Sequence, residues 1–184
     1  MNSFWVVHGE VLDSHTCDEI LNISKDIKQE KGLIGDKAKT DYRDSLVVGV
    51  PHGTSFNRII SNILDNIVYT LNDTCFGFNL GHIKEYQIAE YKDHGHYKLH
   101  NDMRISQETC SMRKLSVSVQ LSDPKDYKGG NLEFADFIGT PEQKYLRPKG
   151  TVIVFPSFIP HQITPVTEGV RHSLVGWYEG LHWT

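Results

Sequence analysis

Three side chains in the second half of the chain have the residue types and the spacing of a metal centre. His100 and Asp102 lie two residues apart in YKLHNDM, and His161 lies in FPSFIPHQITPV. Two imidazoles and one carboxylate form the ligand set of non-haem iron sites that leave three coordination positions open. Residues i and i+2 of a strand point to the same side, so His100 and Asp102 can converge on one ion. We predict that these two residues bind Fe(II) together with His161, which a distant strand must supply.

An arginine follows the last of these residues at a short distance. Arg171 lies ten residues after His161, in EGVRHSLVGWY. Its guanidinium is always charged and offers a two-pronged donor, which suits the far carboxylate of 2-oxoglutarate. Strand alternation places Ser173 and Trp177 on the same face as Arg171. We expect Ser173 to add a hydroxyl contact and Trp177 to form a wall of the pocket.

Two tyrosines precede the first histidine of the motif. Tyr91 lies nine residues and Tyr97 three residues before His100. A tyrosine hydroxyl can hydrogen-bond a buried carboxylate while its ring lines a cavity. Both are therefore candidate cosubstrate contacts. We interpret His94 and His96, in HGH, as a loop pair near the cavity mouth and not as metal ligands.

The bulk properties are those of an ordinary globular protein. The chain has 184 residues, 39% apolar and 23% charged, and its length fits one domain over residues 1–184. The net charge of −4 gives no indication of nucleic-acid binding. Three cysteines without a C-x-x-C pattern favour a reducing compartment. With neither a signal-peptide pattern nor an apolar run of roughly 20 residues, we expect a cytoplasmic protein without a membrane segment.

Hydrophobic periodicity divides the chain near residue 80. It predicts helices over 14–31 and 54–72, a polar loop between them that could close over the substrate (32–45), and a strand at LVVGV. From residue 82 the period becomes two, and strands are predicted over 82–91, 97–102, 114–121, 130–135, 143–147, 151–155, 161–165 and 170–179. The expected fold is mostly β, with flanking N-terminal helices and a double-stranded β-helix (jelly roll) core. Residues 1–80 form a helical support region, and residues 81–180 form the catalytic double-stranded β-helix.

Three ordered blocks resemble a known family. EYKDHGHYKLHND, KLSVSVQLSDPKDYKGGNLEF and PKGTVIVFPSFIPHQITPVTEGVRHSLVGW are similar to the catalytic domain of prolyl 4-hydroxylase-type 2-oxoglutarate oxygenases, in particular the bacterial and phage PKHD-type hydroxylases. The resemblance spans about residues 83 to 179. It implies that the chain is an iron-dependent dioxygenase that uses 2-oxoglutarate and O2, releases succinate and CO2, and takes ascorbate as reductant. It also implies that Arg171 and Tyr91 contact 2-oxoglutarate and that Trp177 occupies a common tryptophan position.

Two other functions stay open from the sequence. One is a cupin-type metal enzyme that does not use 2-oxoglutarate, and the other is a non-catalytic binding module on the same fold. A dicarboxylate clamp at Arg171 disfavours the first, and an intact set of ligands with that clamp disfavours the second. The substrate is a proline-containing peptide or protein by resemblance, or a small molecule. The sequence does not specify the oligomeric state.

Overall fold

A computed structural model describes residues 4–32, 41–81, 84–106 and 110–181. The helices are α1 (Ser14–Ser24), α2 (Ser55–Leu71), which continues into a π-helical turn (Asn72–Phe76), and α3 (Gln143–Leu146). The strands are β1 (Val6–His8), β2 (Glu30–Lys31), β3 (Arg43–Asp44), β4 (Leu46–Val50), β5 (Lys84–Tyr91), β6 (His96–His100), β7 (Ile105–Ser106), β8 (Ser111–Gln120), β9 (Tyr127–Gly129), β10 (Leu132–Phe134), β11 (Val152–Pro156), β12 (His161–Ile163), β13 (Val166–Gly169) and β14 (Arg171–Leu181).

Two antiparallel sheets form the body of the molecule. The major sheet has the order β1-β11-β8-β14-β5-β4-β2, with β7 paired to β8, and the minor sheet has the order β10-β12-β6-β3. Strands β13 and β9 form a separate pair. Side chains of the two sheets meet in one cluster, where Phe134 of the minor sheet packs edge-on to Phe155 of the major sheet, with ring centroids 5.1 Å apart. This is the predicted double-stranded β-helix, and the predicted fold class is confirmed.

Strand alternation gives the major sheet two different faces. Along β14, Leu174 and Tyr178 belong to the core shared with helices α1 and α2, while Arg171, Ser173 and Trp177 point to the opposite side. The same division holds for the neighbouring strands β5 and β8. The helices therefore cover one face of the major sheet, and the other face is left for the space between the sheets.

Helix α2 confirms the predicted helix over 54–72, but α1 is shorter than predicted. Asp13 caps α1, because its side chain accepts a hydrogen bond from the Thr16 amide. The helix ends at Ser24, whereas the sequence predicted residue 31. The last predicted residues instead form β2, which pairs with β4 at the edge of the major sheet. Glu30 and Lys31 therefore pair with β4 and do not extend the helix.

Two predictions in the C-terminal half differ from the structure. The strand predicted over 143–147 is wrong, because these residues form the short helix α3, in which Leu146 alone is buried and no alternating buried face exists. The strand predicted over 161–165 is present as β12 but ends earlier, at Ile163. Residues 166–169, which lie between two predicted strands, form the additional strand β13, which pairs with β9.

The first 80 residues contribute more than a helical support. Besides α1 and α2 they supply β1, β2 and β4 to the major sheet and β3 to the minor sheet. Only LVVGV, now β4, was predicted as a strand in this part. The suggested lid over 32–45 lies largely outside the described residues, because 33–40 are not described. Its last part is not a free loop, since β3 pairs with β6.

Candidate metal centre

The structure brings the three predicted ligand residues together. One side-chain ligand atom from each of His100, Asp102 and His161 lies within 4.8 Å of the others. The Nε2 atoms of the two histidines are each 3.5 Å from a carboxylate oxygen of Asp102. All three side chains are at most 9% exposed. His161, which follows Asp102 by 59 residues in the sequence, thus meets His100 and Asp102 in one buried place, at separations compatible with a single ion.

Strand pairing explains this convergence. His100 on β6 and His161 on β12 are direct partners across the minor sheet. Asp102 lies just beyond the end of β6, where its amide donates to the Ser157 carbonyl between β11 and β12 (2.8 Å). A β-bulge precedes His100. His161 pairs with His100 and Ile163 pairs with Tyr97, so two residue steps along β12 match three steps along β6. The bulge lets Tyr97 and His100 face the same cavity, which regular alternation would not allow.

Both histidines are oriented in the same way. The Nδ1 atom of His100 lies 2.8 Å from the Lys98 carbonyl, and that of His161 lies 2.9 Å from the Ile159 carbonyl. A carbonyl oxygen can only accept a hydrogen bond, so each Nδ1 carries the proton and each Nε2 keeps its lone pair. Those lone pairs face the third ligand. This is the tautomer that a metal-binding imidazole needs.

The carboxylate is held by two serines that sequence analysis did not identify. The Ser116 hydroxyl donates to Oδ2 of Asp102 (2.8 Å), and it lies 2.9 Å from the Ser157 hydroxyl. Ser116 comes from β8 and Ser157 from the turn after β11, and both are fully buried. They fix the direction of a ligand that lies outside a strand.

Charge and burial set the protonation of the ligands. Burial alone would raise the pKa of the Asp102 carboxyl, but the adjacent His161 and His100 imidazoles outweigh burial and hold that pKa well below its usual value. Burial lowers the pKa of His161, and the neighbouring His100 adds to this effect, against the Asp102 carboxylate, which raises it. Asp102 is therefore ionised and His161 is neutral. These are the forms that bind a divalent cation.

An aromatic ring backs His100. The Tyr97 ring stacks on the His100 imidazole, with centroids 3.4 Å apart, and the Arg43 guanidinium lies over the Tyr97 ring at 4.5 Å from its centroid. Burial raises the pKa of the Tyr97 hydroxyl to about 12. Tyr97 is therefore a neutral wall of the site. Arg43, on β3, is a cavity residue that the sequence placed only in the polar loop.

Arg171 is a buried cation on the interior face of β14. It is 1% exposed, and its Nη1 donates to the Ser173 hydroxyl at 3.4 Å. Its Nε and Nη2 atoms have no hydrogen-bond partner within the described chain. Tyr91 is its partner residue on β5, and the guanidinium carbon lies 5.6 Å from the centre of the Tyr91 ring. A buried guanidinium with unused donors is costly unless an anion binds it.

One cavity connects the ligand residues to the environment of Arg171. Its lining includes all three ligand residues together with the predicted Tyr91, Tyr97, Ser173 and Trp177. Arg171 does not line the cavity itself but contacts Ser173 and lies beside Tyr91, which do. The cavity is narrow, at ≈ 40 Å³, so a ligand of more than a few atoms requires the lining side chains to move.

The other predicted residues lie at the cavity margin or outside it. Trp177 forms a wall, as expected, and the Arg113 guanidinium stacks over its ring at 3.8 Å. His94 and His96 are not part of the metal-binding group in the described residues. Sequence analysis missed Gln87 and Ser118, whose side chains line the cavity from β5 and β8. Polar and apolar residues alternate in both strands, so neither residue carried a signal of its own in the sequence.

Comparison with known proteins gives the family. Residues 86–179, slightly more than half of the chain, match the model of the 2OG-Fe(II) oxygenase superfamily. The chain belongs to this superfamily. The matched segment begins in β5 and ends in β14, so it contains the three ligand residues and Arg171.

One relative and two solved structures are similar to this chain. A PKHD-type hydroxylase of Azoarcus sp. (strain BH72) is 44% identical over 82 residues, which cover 43% of this chain and only 35% of that protein. A viral collagen prolyl hydroxylase of Paramecium Bursaria Chlorella virus-1, in complex with 2OG, covers 97% of both chains at a TM-score of 0.72 and 19% identity. A prolyl hydroxylase with a hypoxia inducible factor peptide fragment, from Trichoplax adhaerens, covers 96% of this chain and 83% of its own, with a TM-score of 0.72 and 15% identity. The two structures support the fold.

Proposed function

We propose that this protein is an Fe(II)- and 2-oxoglutarate-dependent dioxygenase that hydroxylates an unactivated C–H bond. The observation that carries the proposal is the buried Arg171 guanidinium, with two unused donors, beside the cavity of the His100, Asp102 and His161 group. The ligand group suits a metal ion, and the guanidinium needs an anion for its unused donors. Fe(II) and a 2-oxo dicarboxylate provide both.

The residues fit the metal. Two imidazoles and one carboxylate are ligands that suit Fe(II), and the group contains no thiolate, which would favour zinc or an iron–sulfur cluster. His100, Asp102 and His161 would hold the ion, and Ser116 would hold the carboxylate in place. The bound iron would supply the oxidising chemistry, in which substrate, O2 and 2-oxoglutarate give hydroxylated product, succinate and CO2. The protein's part is to bind, orient and shield the reactants.

The residues also fit the cosubstrate. Arg171 would pair with the remote carboxylate through the donors that have no partner, and Ser173 and Tyr91 would support that end of the molecule. Tyr97 and Trp177 would enclose the other end near the metal, since both line the cavity. The low exposure of these side chains would exclude water and strengthen the ion pair.

Our proposed substrate class is a proline-containing peptide or protein. Two similar structures are prolyl hydroxylases by name, and one holds a peptide fragment. The match to the PKHD-type relative covers only 35% of that protein. A small molecule is the second candidate, because the cavity beside the metal group is narrow.

Neither alternative from the sequence explains the site as well. A cupin-type metal enzyme has no need of a buried arginine for a dicarboxylate. A non-catalytic binding module has no need of two histidines held in the metal-binding tautomer and a carboxylate braced by Ser116. Family membership also favours the oxygenase.

Three further features belong to the proposal. Ascorbate would serve as a reductant, by family resemblance. Residues 1–184 would form one domain, which is supported by strands from both sides of residue 80 in each sheet. A cytoplasmic location is supported by the three free cysteines, Cys17, Cys75 and Cys110. In the described part of the chain no helix is long and apolar enough to cross a membrane.

The substrate class can be tested with a panel of synthetic peptides. The protein is incubated with Fe(II), 2-oxoglutarate, ascorbate and O2, and each proline-containing peptide is paired with a version in which alanine replaces proline. We expect succinate formation together with the mass gain of one oxygen atom, located on proline by fragmentation. An oxygen atom found on another residue would change the substrate class but retain the hydroxylase. Iron-loaded protein that forms no succinate with any peptide or with small molecules would contradict the proposal.

A further inference from the structure

Two surface grooves lie side by side away from the metal centre. One, of ≈ 680 Å³, borders the edge strand β1, and the other, of ≈ 650 Å³, lies on the outer side of the minor sheet. Both are lined by Pro141 and Glu142, so they form one continuous surface. We name the lining of these two grooves the acidic–aromatic face.

The acidic–aromatic face is separate from the catalytic cavity. Leu99 and Gln162 line the outer groove and are the immediate neighbours of His100 and His161. Glu133 also lines it, pairs with Gln162 across the sheet and accepts a hydrogen bond from its amide (2.9 Å). A ligand on this face would bind to the back of the strands that carry the histidines. It would not compete with 2-oxoglutarate.

Large apolar side chains are exposed on this face. Phe137 is 79% exposed, Tyr145 is 55% exposed and Leu99 is 48% exposed, and Trp5 lines the groove beside β1. Single exposed apolar residues are common, but several in adjoining grooves indicate an interaction site. Aromatic side chains are also the residues that dominate the binding energy of protein interfaces.

The charge of this face is one-sided. Glu10, Glu133, Asp136 and Glu142 contribute four carboxylates. Among the described residues that line the grooves, Lys144 is the one basic side chain, and it already pairs with Glu142 at 2.8 Å. Carboxylates beside aromatic rings suit Lys and Arg, whose apolar stems lie on the rings while their charged ends reach the acids.

We propose that the acidic–aromatic face binds an extended cationic segment of a partner polypeptide. The extended form follows from two adjoining grooves and from β1, which pairs with β11 and, within the described residues, has no strand on its other edge. An added chain could use that free edge for backbone hydrogen bonds. This inference does not depend on the proposed hydroxylase activity, because the face lies outside the catalytic cavity.

The test is direct binding of a labelled peptide, with no iron, cosubstrate or turnover. The probe is fluorescein-labelled Lys-Leu-Arg-Lys-Leu-Arg, and its counterpart is Glu-Leu-Asp-Glu-Leu-Asp, both followed by fluorescence anisotropy. We expect saturable binding of the cationic peptide alone, weakened by added salt because exposed charges are screened. Loss of the aromatic anchor in Phe137→Ala should weaken binding by about tenfold. Asp136→Lys should weaken it by about fivefold or more.

Asp73→Lys is the matched control. Asp73 is also exposed, but it lies in the π-helical turn after α2, and its substitution makes the same change in net charge. Binding to Asp73→Lys should stay within about twofold of wild type, because Asp73 lies outside the acidic–aromatic face and an isolated surface charge contributes little. Absence of binding, an equal loss in Asp73→Lys, or an unchanged affinity in Phe137→Ala would overturn the proposal. All variants should keep the circular dichroism spectrum and the unfolding midpoint of wild type, which shows that they are folded.

Discussion

His100 and His161 face each other as direct partners on β6 and β12, with ring centroids 4.3 Å apart. Each ring has its Nδ1 against the backbone carbonyl two residues earlier in the chain. The same local hydrogen bond thus sets the tautomer of both rings. Two strands of one sheet therefore present two Nε2 lone pairs to the Asp102 carboxylate, and the predictions below depend on that arrangement.

Ser116 should be a positioning residue for iron. Ser116→Ala removes the hydroxyl that donates to Asp102 and lies beside Ser157, so the carboxylate loses its fixed direction. We expect Fe(II) affinity to fall by about 10- to 100-fold, which is the usual effect of losing a partner of a metal ligand. Isothermal titration calorimetry under anaerobic conditions measures the Fe(II) affinity of both proteins.

Ser118→Ala serves as the control for that experiment. Ser118 lies two residues further along β8, is also buried and lines the same cavity. Its loss should leave Fe(II) affinity nearly unchanged. Equal affinities for iron in the two variants would show that the Ser116 hydroxyl does not support the metal site.

Arg171 should determine cosubstrate affinity. Arg171→Met keeps the length of the side chain but removes its charge, so the remote carboxylate would enter a dry site without a partner. Losing one half of such a pair costs on the order of 2–5 kcal/mol. The KM for 2-oxoglutarate should therefore rise about thirtyfold to several thousandfold. Fe(II) affinity should stay near that of wild type, and Arg171→Lys should lie between the two. A KM for 2-oxoglutarate within twofold of wild type in Arg171→Met would remove Arg171 from the site.

Gly130 should matter for the same pocket. It has a φ of +61°, and a Cβ atom there would lie 2.9 Å from Cδ of Arg171 and 2.8 Å from Cγ2 of Val166. Gly130→Ala should push the arginine stem and weaken 2-oxoglutarate binding while Fe(II) binding persists. Gly139→Ala is the matched control, because Gly139 has a φ of +77° but no atom within 4 Å of its added Cβ. Both should lose about 1 kcal/mol of stability from backbone strain. Equal 2-oxoglutarate affinities in the two variants would contradict the steric argument.

The Glu90 carboxylate should make stability depend on pH. Burial raises its pKa, but Lys92 and His172, which contact it at 2.9 and 3.1 Å, outweigh burial and lower the pKa below its ordinary value. A group whose pKa is lower in the folded state stabilises the protein when the pH is above its unfolded-state pKa, here about 4.3. This stabilisation is lost as the pH falls through the folded-state pKa.

Glu90→Gln should therefore lower the free energy of unfolding by up to about 1 kcal/mol at neutral pH. The difference from wild type should shrink below about pH 4.3. Denaturant unfolding of wild type and Glu90→Gln, from neutral pH to below about pH 4.3, measures this difference in the free energy of unfolding. The control is Glu30→Gln, since the pair of Glu30 with Lys28 is largely exposed and should contribute little. If the difference in free energy of unfolding between wild type and Glu90→Gln grew toward acid pH, the Glu90 pKa would be raised and not lowered in the folded state.

The sequence indicated the three residues that the structure brings together, but it did not indicate the residues around them. His100, Asp102 and His161 were identifiable because few residue types bind iron and because they lie in ordered blocks of sequence that resemble a known family. Ser116 and Ser157 were not, because serine is common and their contact with Asp102 arises only when β8 and the turn after β11 meet. The shared orientation of Tyr97 and His100 depends on a bulge in β6, which alternation of residue types does not indicate.

The limits of the fold prediction have a similar origin. Long amphipathic or alternating segments, such as α2 and β14, were predicted because their pattern repeats over many residues. The two-residue strand β3 has no pattern of its own and depends on its pairing with β6. Arg43 therefore appeared to belong to a polar loop, although it packs on Tyr97 in the cavity. Short elements are determined by tertiary contacts that a local pattern does not contain.

The most direct test of the account is an anaerobic titration of the apo-protein with Fe(II) and then with 2-oxoglutarate, followed by visible absorption. We expect a saturable charge-transfer band when the 2-oxo acid chelates the iron, and no band in His161→Ala, which lacks one of the three ligands. That variant should also bind Fe(II) more weakly, and a normal iron content would count against the ligand assignment. If wild-type protein binds iron but gives no band with 2-oxoglutarate, the metal centre stands and the proposed cosubstrate is wrong.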